Sequence, residues 1–184
     1  MSERGGAAPL QGEATGVSAL RRAVTPDEFK EAMSRLVGAV SIVATDGPAG
    51  RYGRTVSSAC PVTAEPPSLL VCIERSAEIC GALAKNGSFA LSVLGCLERG
   101  AAQLFAGQPK RTMEERFRAT EWIEAAGVPV LCRADTAFVC ALSESKTIAT
   151  HRIFVGTVVE TRFLGGVLSP LVYFDREYKT VKSL

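Results

Sequence analysis

The pattern of apolar positions predicts one helix followed by a mainly β domain. The helix begins at Thr25-Pro26, with Glu28 placed to close a capping box, and apolar residues recur at helical spacing from Phe29 onward. Gly38 is expected to end it. Beyond that glycine the pattern is mostly extended, with strands predicted at residues 39–45, 52–60, 68–74, 89–94, 131–142, 147–163 and 171–174.

Short helices and irregular segments separate the predicted strands. A helix is predicted at 78–85, and 97–117 is predicted to form one or two helices broken at Gly107 and Pro109. Residues 122–129 are predicted to be irregular, and Gly165-Gly166 is predicted to form a turn. The excess of strands over short helices favours a mainly β fold, a β-barrel with peripheral helices, because closure of a sheet removes its exposed edges.

Composition indicates one globular domain with a tail. Residues 1–24 are rich in Gly, Ala and Ser without a steady apolar period, so we expect a disordered N-terminal tail followed by a single domain at 25–184. Of the 184 residues, 47% are hydrophobic and 22% are charged, which is typical of a chain that buries a core. The formal net charge is only +2 and no long basic block occurs, so nucleic-acid binding is not expected.

The sequence predicts neither a membrane-spanning helix nor an export signal. No apolar run approaches the roughly 20 residues of a membrane-spanning helix, and the N-terminus lacks the apolar region of a signal peptide. We therefore expect a cytoplasmic protein without a membrane partner. The six cysteines form no CxxC pair and are expected to be small core residues, and with one histidine no metal site is expected.

A cluster of hydroxyl side chains is the most informative feature. Thr55, Ser57 and Ser58 follow a glycine in the segment G-R-T-V-S-S-A-C-P-V-T. Hydroxyls and backbone N–H groups can bind a phosphorylated ring without a buried charge, so the cluster suits such a ligand. From this segment alone, an ordinary edge strand facing water is the favoured interpretation, because Ser and Thr are mostly exposed. Dinucleotide-fold, P-loop, zinc-protease and nucleophile-elbow motifs do not occur in the sequence.

Several short motifs in one order resemble the short-chain flavin reductases. They are G-R-T-V-S-S-A-C-P-V-T, P-P-S-L-L-V-C-I, F-A-L-S-V-L, F-A-G, E-E-R-F, T-H and P-L-V-Y-F-D-R-E-Y, spread over about residues 28 to 180. The resemblance implies an FMN-binding split barrel of six strands, working as a homodimer with flavin near the subunit interface. It also implies NAD(P)H:flavin oxidoreductase activity that supplies reduced flavin to a partner flavin-dependent monooxygenase. The resemblance does not decide between FMN and FAD as the flavin, or between NADH and NADPH as the hydride donor.

The resemblance implies a flavin site as well. Its cofactor-binding positions are, in chain order, Thr55, Val56, Ser57, Ser58, Cys72, Ile73, Ser76, Ala77, Ser92, Phe105, Ala106, Phe174 and Arg176. Ser76 and Ala77 correspond to the turn that holds the phosphate, and Cys72 and Ile73 would line the ring through their backbone. Ser92 stands where many members carry Asn.

His151 is the one candidate catalytic residue, and the resemblance gives it the role of orienting the nicotinamide. On the sequence alone, a lone histidine in an extended segment is more often structural or solvent-facing, and the resemblance favours the functional role. Hydride transfer between two cofactor rings needs alignment more than acid–base groups, which agrees with a sequence this poor in histidine. The alternatives are a non-catalytic flavin- or haem-binding split barrel and an interaction barrel without a small ligand.

Overall fold

The computed structural model describes residues 23–165 and 169–181, so residues 1–22 of the expected tail and Gly166 of an expected turn lie outside it. Within these residues the helices are α1 (Pro26–Ser34), α2 (Glu78–Asn86), α3 (Arg99–Phe105) and α4 (Met113–Arg118). None of the described helices is long and apolar enough to cross a bilayer. The chain divides into two compact units at Met33/Ser34, and α1 is described by itself.

Twelve strands form three antiparallel sheets within the described residues. The strands are β1 (Gly38–Ala39), β2 (Ser41–Thr45), β3 (Tyr52–Val56), β4 (Ala59–Ala64), β5 (Pro67–Glu74), β6 (Ser88–Val93), β7 (Trp122–Ala125), β8 (Val128–Leu131), β9 (Thr136–Ile148), β10 (His151–Phe163), β11 (Leu171–Phe174) and β12 (Glu177–Thr180). The largest sheet has seven strands in the order β3-β2-β6-β9-β10-β5-β4, and the others are β1-β11-β12 and β7-β8.

The seven-stranded sheet curls into a split barrel. Its two edge strands, β3 and β4, are consecutive in the chain and are joined only by Ser57 and Ser58, so the edges meet at this link. Val43, Val56, Val71, Phe89 and Phe154 from five strands are buried in one core cluster, as are residues of β9 and α2. The predicted mainly β fold, a β-barrel with peripheral helices, is confirmed.

A second core cluster holds α3 against the outside of the barrel. The rings of Phe105, Phe117 and Trp122 pack together, with centroids 4.7 to 5.5 Å apart. Gly53 of β3 makes this close approach possible, because a Cβ there would lie 2.7 Å from the Phe105 ring. α3 therefore lies beside the strand that carries the hydroxyl cluster.

Helix α1 begins as predicted but ends early. The Thr25 amide donates to Glu28 (2.8 Å), and the Glu28 amide donates to Oγ1 of Thr25 (3.2 Å), so the capping box is present. The helix ends at Ser34 rather than at Gly38. Gly38 instead pairs with Tyr173 in the β1–β11 sheet, where a Cβ would lie 2.9 Å from the carbonyl oxygen of Ser57. Gly38 thus serves a close strand approach, not a helix end.

Several strand predictions were wrong because of short connections. Residues 52–60 do not form one strand, because Ser57 and Ser58 divide them between β3 and β4. Residues 122–129 are not irregular: β7 and β8 form a hairpin through Ala126 and Gly127, both at positive φ. Pro129 argued against a strand here, because proline has no amide hydrogen to donate. It nevertheless pairs with Glu124 at a position where the antiparallel ladder requires no amide. The segment 147–163 is divided between β9 and β10 by a turn at Ala149 (φ 47°). The turn contains neither glycine nor proline, so the sequence pattern did not predict it.

The cysteines only partly follow expectation. All six are free, but only Cys80 and Cys140 are buried, whereas Cys60 is exposed and the others are partly buried. Cys60 lies on the edge strand β4, which has one neighbour in its sheet and whose residues 60–64 are all exposed.

Candidate functional site

A cleft of about 590 Å³ lies between β3, α3 and the β11–β12 hairpin, and we call it the hydroxyl cleft. Its lining residues are Val40, Thr55, Val56, Ser57, Arg99, Gln103, Ala106, Gln108, Tyr173, Arg176, Glu177 and Tyr178. Of the positions predicted from the sequence, it brings together Thr55, Val56, Ser57, Ala106 and Arg176. Residues 106 and 176 are far apart in sequence from the hydroxyl cluster, so their meeting is a result of the fold.

The wall formed by β3 and α3 is fixed by one hydrogen bond. Oγ1 of Thr55 donates to the carbonyl oxygen of Ala102 at 2.7 Å, which ties the strand to the helix. Arg99, Gln103 and Ala106 follow at spacings of four and three residues, so they share the face of α3 that lines the cleft. Sequence reasoning missed Arg99 and Gln103, although this helical spacing from Ala106 could have identified them.

The opposite wall is an aromatic hairpin. The rings of Tyr173 and Tyr178 meet edge to face with centroids 5.4 Å apart. Burial, followed by the neighbouring Tyr173, raises the pKa of Tyr178, so its hydroxyl stays protonated at neutral pH. Asp175 and Arg176 both have positive φ, and this tight turn places Arg176 at the cleft. Phe174 is not among the lining residues, and Nζ of Lys179 lies 5.1 Å from the centroid of its ring.

A second group of predicted residues gathers at the end of β5. Oγ of Ser58 donates to the carbonyl oxygen of Cys72 at 2.9 Å, which joins the β3–β4 link to β5. His151 pairs with Glu74 in the β10–β5 register. Ser76 and Ala77 follow in the turn that leads into α2, where Ala77 is the N-cap. The Ser57-Ser58 link therefore connects the hydroxyl cleft to this turn.

His151 stands at the tip of the β9–β10 hairpin and is exposed. Its Nδ1 lies 3.0 Å from Oγ1 of Thr150. The hairpin tip is anchored to β5, because the amide of Arg75 donates to the carbonyl oxygen of Thr150 at 2.9 Å. The imidazole is thus held beside the β5–α2 turn and open to a ligand, but it does not line the hydroxyl cleft.

Besides Val56, which is 7% exposed and also lines the hydroxyl cleft, three predicted positions have side chains in the core. Ile73 and Phe105 are each 1% exposed, and Ser92 is fully buried. Oγ of Ser92 accepts a hydrogen bond from the amide of Leu131 at 3.2 Å, so this hydroxyl joins β6 to β8. These side chains do not line the hydroxyl cleft, and they support it by packing.

The electrostatics of the site favour a polar, anionic ligand without covalent chemistry. Arg99 and Arg176 bring two positive charges to the cleft against the single carboxylate of Glu177. Burial, followed by the neighbouring Cys60, raises the pKa of Cys72, so its thiol is not a ready nucleophile at neutral pH. Within the described residues no group of three or more acidic, histidine or cysteine side chains could hold a metal ion.

Comparison with known proteins agrees with the fold. The sequence profile of the flavin reductase like domain matches residues 33–182. The chain is 41% identical to the FMN reductase (NADH) RutF of Pseudomonas syringae pv. syringae (strain B728a), covering 88% of this chain and 89% of that protein. It is also 41% identical to the protein of that name from Variovorax paradoxus (strain S110), covering 84% of each.

Solved structures share the architecture. A Haemophilus somnus 129PT protein assigned as a flavin reductase superposes with a TM-score of 0.81 at 34% identity, covering 86% of this chain and 100% of that one. BorF, the flavin reductase component of a bacterial two-component tryptophan halogenase, superposes with a TM-score of 0.79 at 26% identity, covering 87% and 100%. The chain belongs to the flavin reductase like domain family and is an oxidoreductase with the split-barrel fold.

Proposed function

We propose that the protein is an NADH-dependent FMN reductase that binds flavin in the hydroxyl cleft. One observation carries the proposal: Thr55, Ser57, Ala106 and Arg176, which the resemblance makes flavin-binding, line one cleft of about 590 Å³. That volume is within the range of small-molecule sites. Relatives named FMN reductase (NADH), at about 40% identity over most of the chain, support this choice of flavin and nicotinamide.

The residues present fit the two ends of FMN. The hydroxyls of Thr55 and Ser57 and the amide of Gln103 can bind the polar edge of the isoalloxazine ring. The phosphate would lie toward the β5–α2 turn, where the Ser76 hydroxyl and the first amides of the nine-residue helix α2 favour an anion. The Ser57-Ser58 link runs between these two places.

Bound flavin would supply the hydride-accepting chemistry, and the chain's own residues would hold and align the reactants. His151, exposed at the hairpin tip beside the β5–α2 turn, would orient the nicotinamide. Tyr173 and Tyr178 would limit access of water along one wall of the cleft. Because alignment of two rings is the main requirement, no side chain has to act as a nucleophile or a strong base.

Delivery of reduced flavin to a separate monooxygenase is the second part of the proposal. BorF, which shares this fold at 26% identity, is the reductase component of a two-component tryptophan halogenase. The hydroxyl cleft is open to solvent along one side, so flavin can leave without unfolding of the barrel. Anaerobic gel filtration after reduction by NADH should find the reduced flavin free of the protein; flavin that stays bound would contradict delivery.

A homodimer is the third part. A groove of about 370 Å³ on the barrel is lined mainly by apolar atoms, and Leu69, Leu91, Phe138 and Val158 are among its lining residues. Covering such a surface with a second copy would remove it from water. Sedimentation should show a dimer, and a charge introduced by Ser68→Arg in this groove should dissociate it. The matched control Ser143→Arg, on an exposed part of β9, should not.

The central test is NADH oxidation by the purified protein with and without added flavin. We expect turnover that depends on added FMN, with a raised KM for FMN in Ser57→Ala. Ser143→Ala is the control, since Ser143 is exposed and its Oγ bonds only a strand carbonyl within the described residues. A tightly bound flavin that NADH cannot reduce would favour the non-catalytic binder instead.

A further inference from the structure

A second cleft, which we call the α3–α4 cleft, lies on the other side of α3. Its volume is also about 590 Å³, and it extends between α3, the segment before α4, and the end of β8. Gln103 and Gln108 line both this cleft and the hydroxyl cleft. An α-helix is about 10 Å across, so a ligand of dinucleotide length can pass these glutamines and occupy both clefts.

One part of the α3–α4 cleft is apolar and exposed. Leu97 is 82% exposed, which is unusual for a leucine, and it lines the cleft together with the exposed Pro109. An apolar side chain left open to water within a cleft offers a surface on which a flat heteroaromatic ring can pack.

The α3–α4 cleft contains charged groups of both signs. Glu98 and Glu121 supply carboxylates, and Arg111 and Arg133 supply guanidinium groups. Nε of Arg133 lies 2.9 Å from Oε1 of Glu98, whose side chain is only 13% exposed, so these two largely neutralise each other. Glu121 is exposed, and within the described residues no ion pair at salt-bridge distance involves its carboxylate or the guanidinium of Arg111.

These groups match the adenosine diphosphate half of a dinucleotide. A carboxylate accepts hydrogen bonds from the two ribose hydroxyls, an arginine binds the diphosphate, and an apolar surface receives the adenine. We propose that the α3–α4 cleft binds the adenosine diphosphate half of NADH, whose nicotinamide reaches the flavin in the hydroxyl cleft. The proposal rests on the flavin reductase function given above.

The carboxylate of Glu121 also has a consequence for specificity. It would accept hydrogen bonds from a free ribose diol, but it would repel the 2′-phosphate of NADPH. Glu121 is therefore a specificity-determining residue for NADH over NADPH.

Gly100 makes a steric test possible. This α3 glycine lines the α3–α4 cleft, and a Cβ built on it meets no atom within 4 Å. Gly100→Leu therefore fills the cleft without displacing the fold, and leucine favours a helix more than glycine does. Gly81→Leu is the matched control, because Gly81 is an exposed glycine of helix α2 that also has open space around it.

The experiment compares substrates that have and lack the adenosine half. With FMN as acceptor, KM is measured for NADH and for reduced nicotinamide mononucleotide; with NADH as donor, it is measured for FAD and for FMN. Gly100→Leu should raise KM at least about tenfold for NADH and leave KM for reduced nicotinamide mononucleotide unchanged. A raised KM for FAD with an unchanged KM for NADH would contradict the proposal, because it would place the adenosine half of the flavin here.

Two further measurements separate this inference from the proposed function. Glu121→Gln should lower the preference for NADH over NADPH about tenfold, whereas Glu124→Gln on the neighbouring strand should not. ADP-ribose binding, measured by calorimetry, should be lost in Gly100→Leu and kept in Gly81→Leu. This holds even if the protein reduces no flavin, which would overturn the proposed function alone. ADP-ribose binding that is equal in both variants would overturn the inference. KM values in Gly100→Leu that equal the wild-type values for all four substrates would overturn it as well.

Discussion

Replacing Ser92 by alanine should destabilise the protein without weakening flavin binding. Ser92 is fully buried, and its Oγ accepts the hydrogen bond of the Leu131 amide, a residue that is itself only 2% exposed. Ser92→Ala leaves that buried donor without its partner. Such a loss costs about 1–3 kcal/mol in the free energy of unfolding. At about 2–4 °C per kcal/mol for a domain of this size, the Tm should fall clearly.

Thermal and urea unfolding measure the cost, and FMN titration measures the affinity in the same samples. Ser143→Ala is the control, because Ser143 is an exposed serine of β9 whose loss should change stability by less than about 0.5 kcal/mol. A normal Tm combined with a large loss of FMN affinity would refute the reasoning. It would mean that position 92 contacts flavin, as the resemblance alone suggested, and that it does not join β6 to β8.

Three other predictions follow from the same structure. Gly156→Ala should cost about 1–3 kcal/mol in urea unfolding, since its Cβ would lie 2.7 Å from both Cys140 and the Phe89 ring; unchanged stability would show that the barrel core is looser than described. Burial raises the pKa of Cys140 to about 12 from 9.0, so the unfolded chain loses this proton first and stability should fall as pH rises from 9 toward 12. Cys140→Ala should lessen that fall in the urea midpoint, and an identical pH profile would exclude the thiol as a cause. His151→Ala should raise KM for NADH more than KM for FMN, and equal values to wild type would remove His151 from the site.

The barrel could be predicted because its strands and turns carry local signals. Apolar, β-branched runs mark β2, β5 and β6, and Gly87 ends α2 in the left-handed conformation that favours glycine. Where the local signal was absent, prediction failed. Pro129 concealed β8, and the turn at Ala149 contains neither glycine nor proline.

The candidate site was predicted in part, for a reason that lies in the fold. The hydroxyl segment is visible as a motif, but its neighbours are brought in by contacts between distant segments. Thr55 meets Ala102, and Ser58 meets Cys72, through hydrogen bonds that no pattern in the sequence encodes. Tyr173 lies far from the hydroxyl segment in the sequence, and only the hairpin geometry places it at the hydroxyl cleft. Ser92 matched a family position yet lies inside the core.

The most direct test is a crystal structure of the protein with FMN bound. The account predicts the isoalloxazine ring between β3, α3 and the β11–β12 hairpin, within hydrogen-bond distance of Thr55 or Ser57, and the phosphate toward Ser76. Flavin bound elsewhere, with the hydroxyl cleft filled by the protein's own side chains, would contradict it.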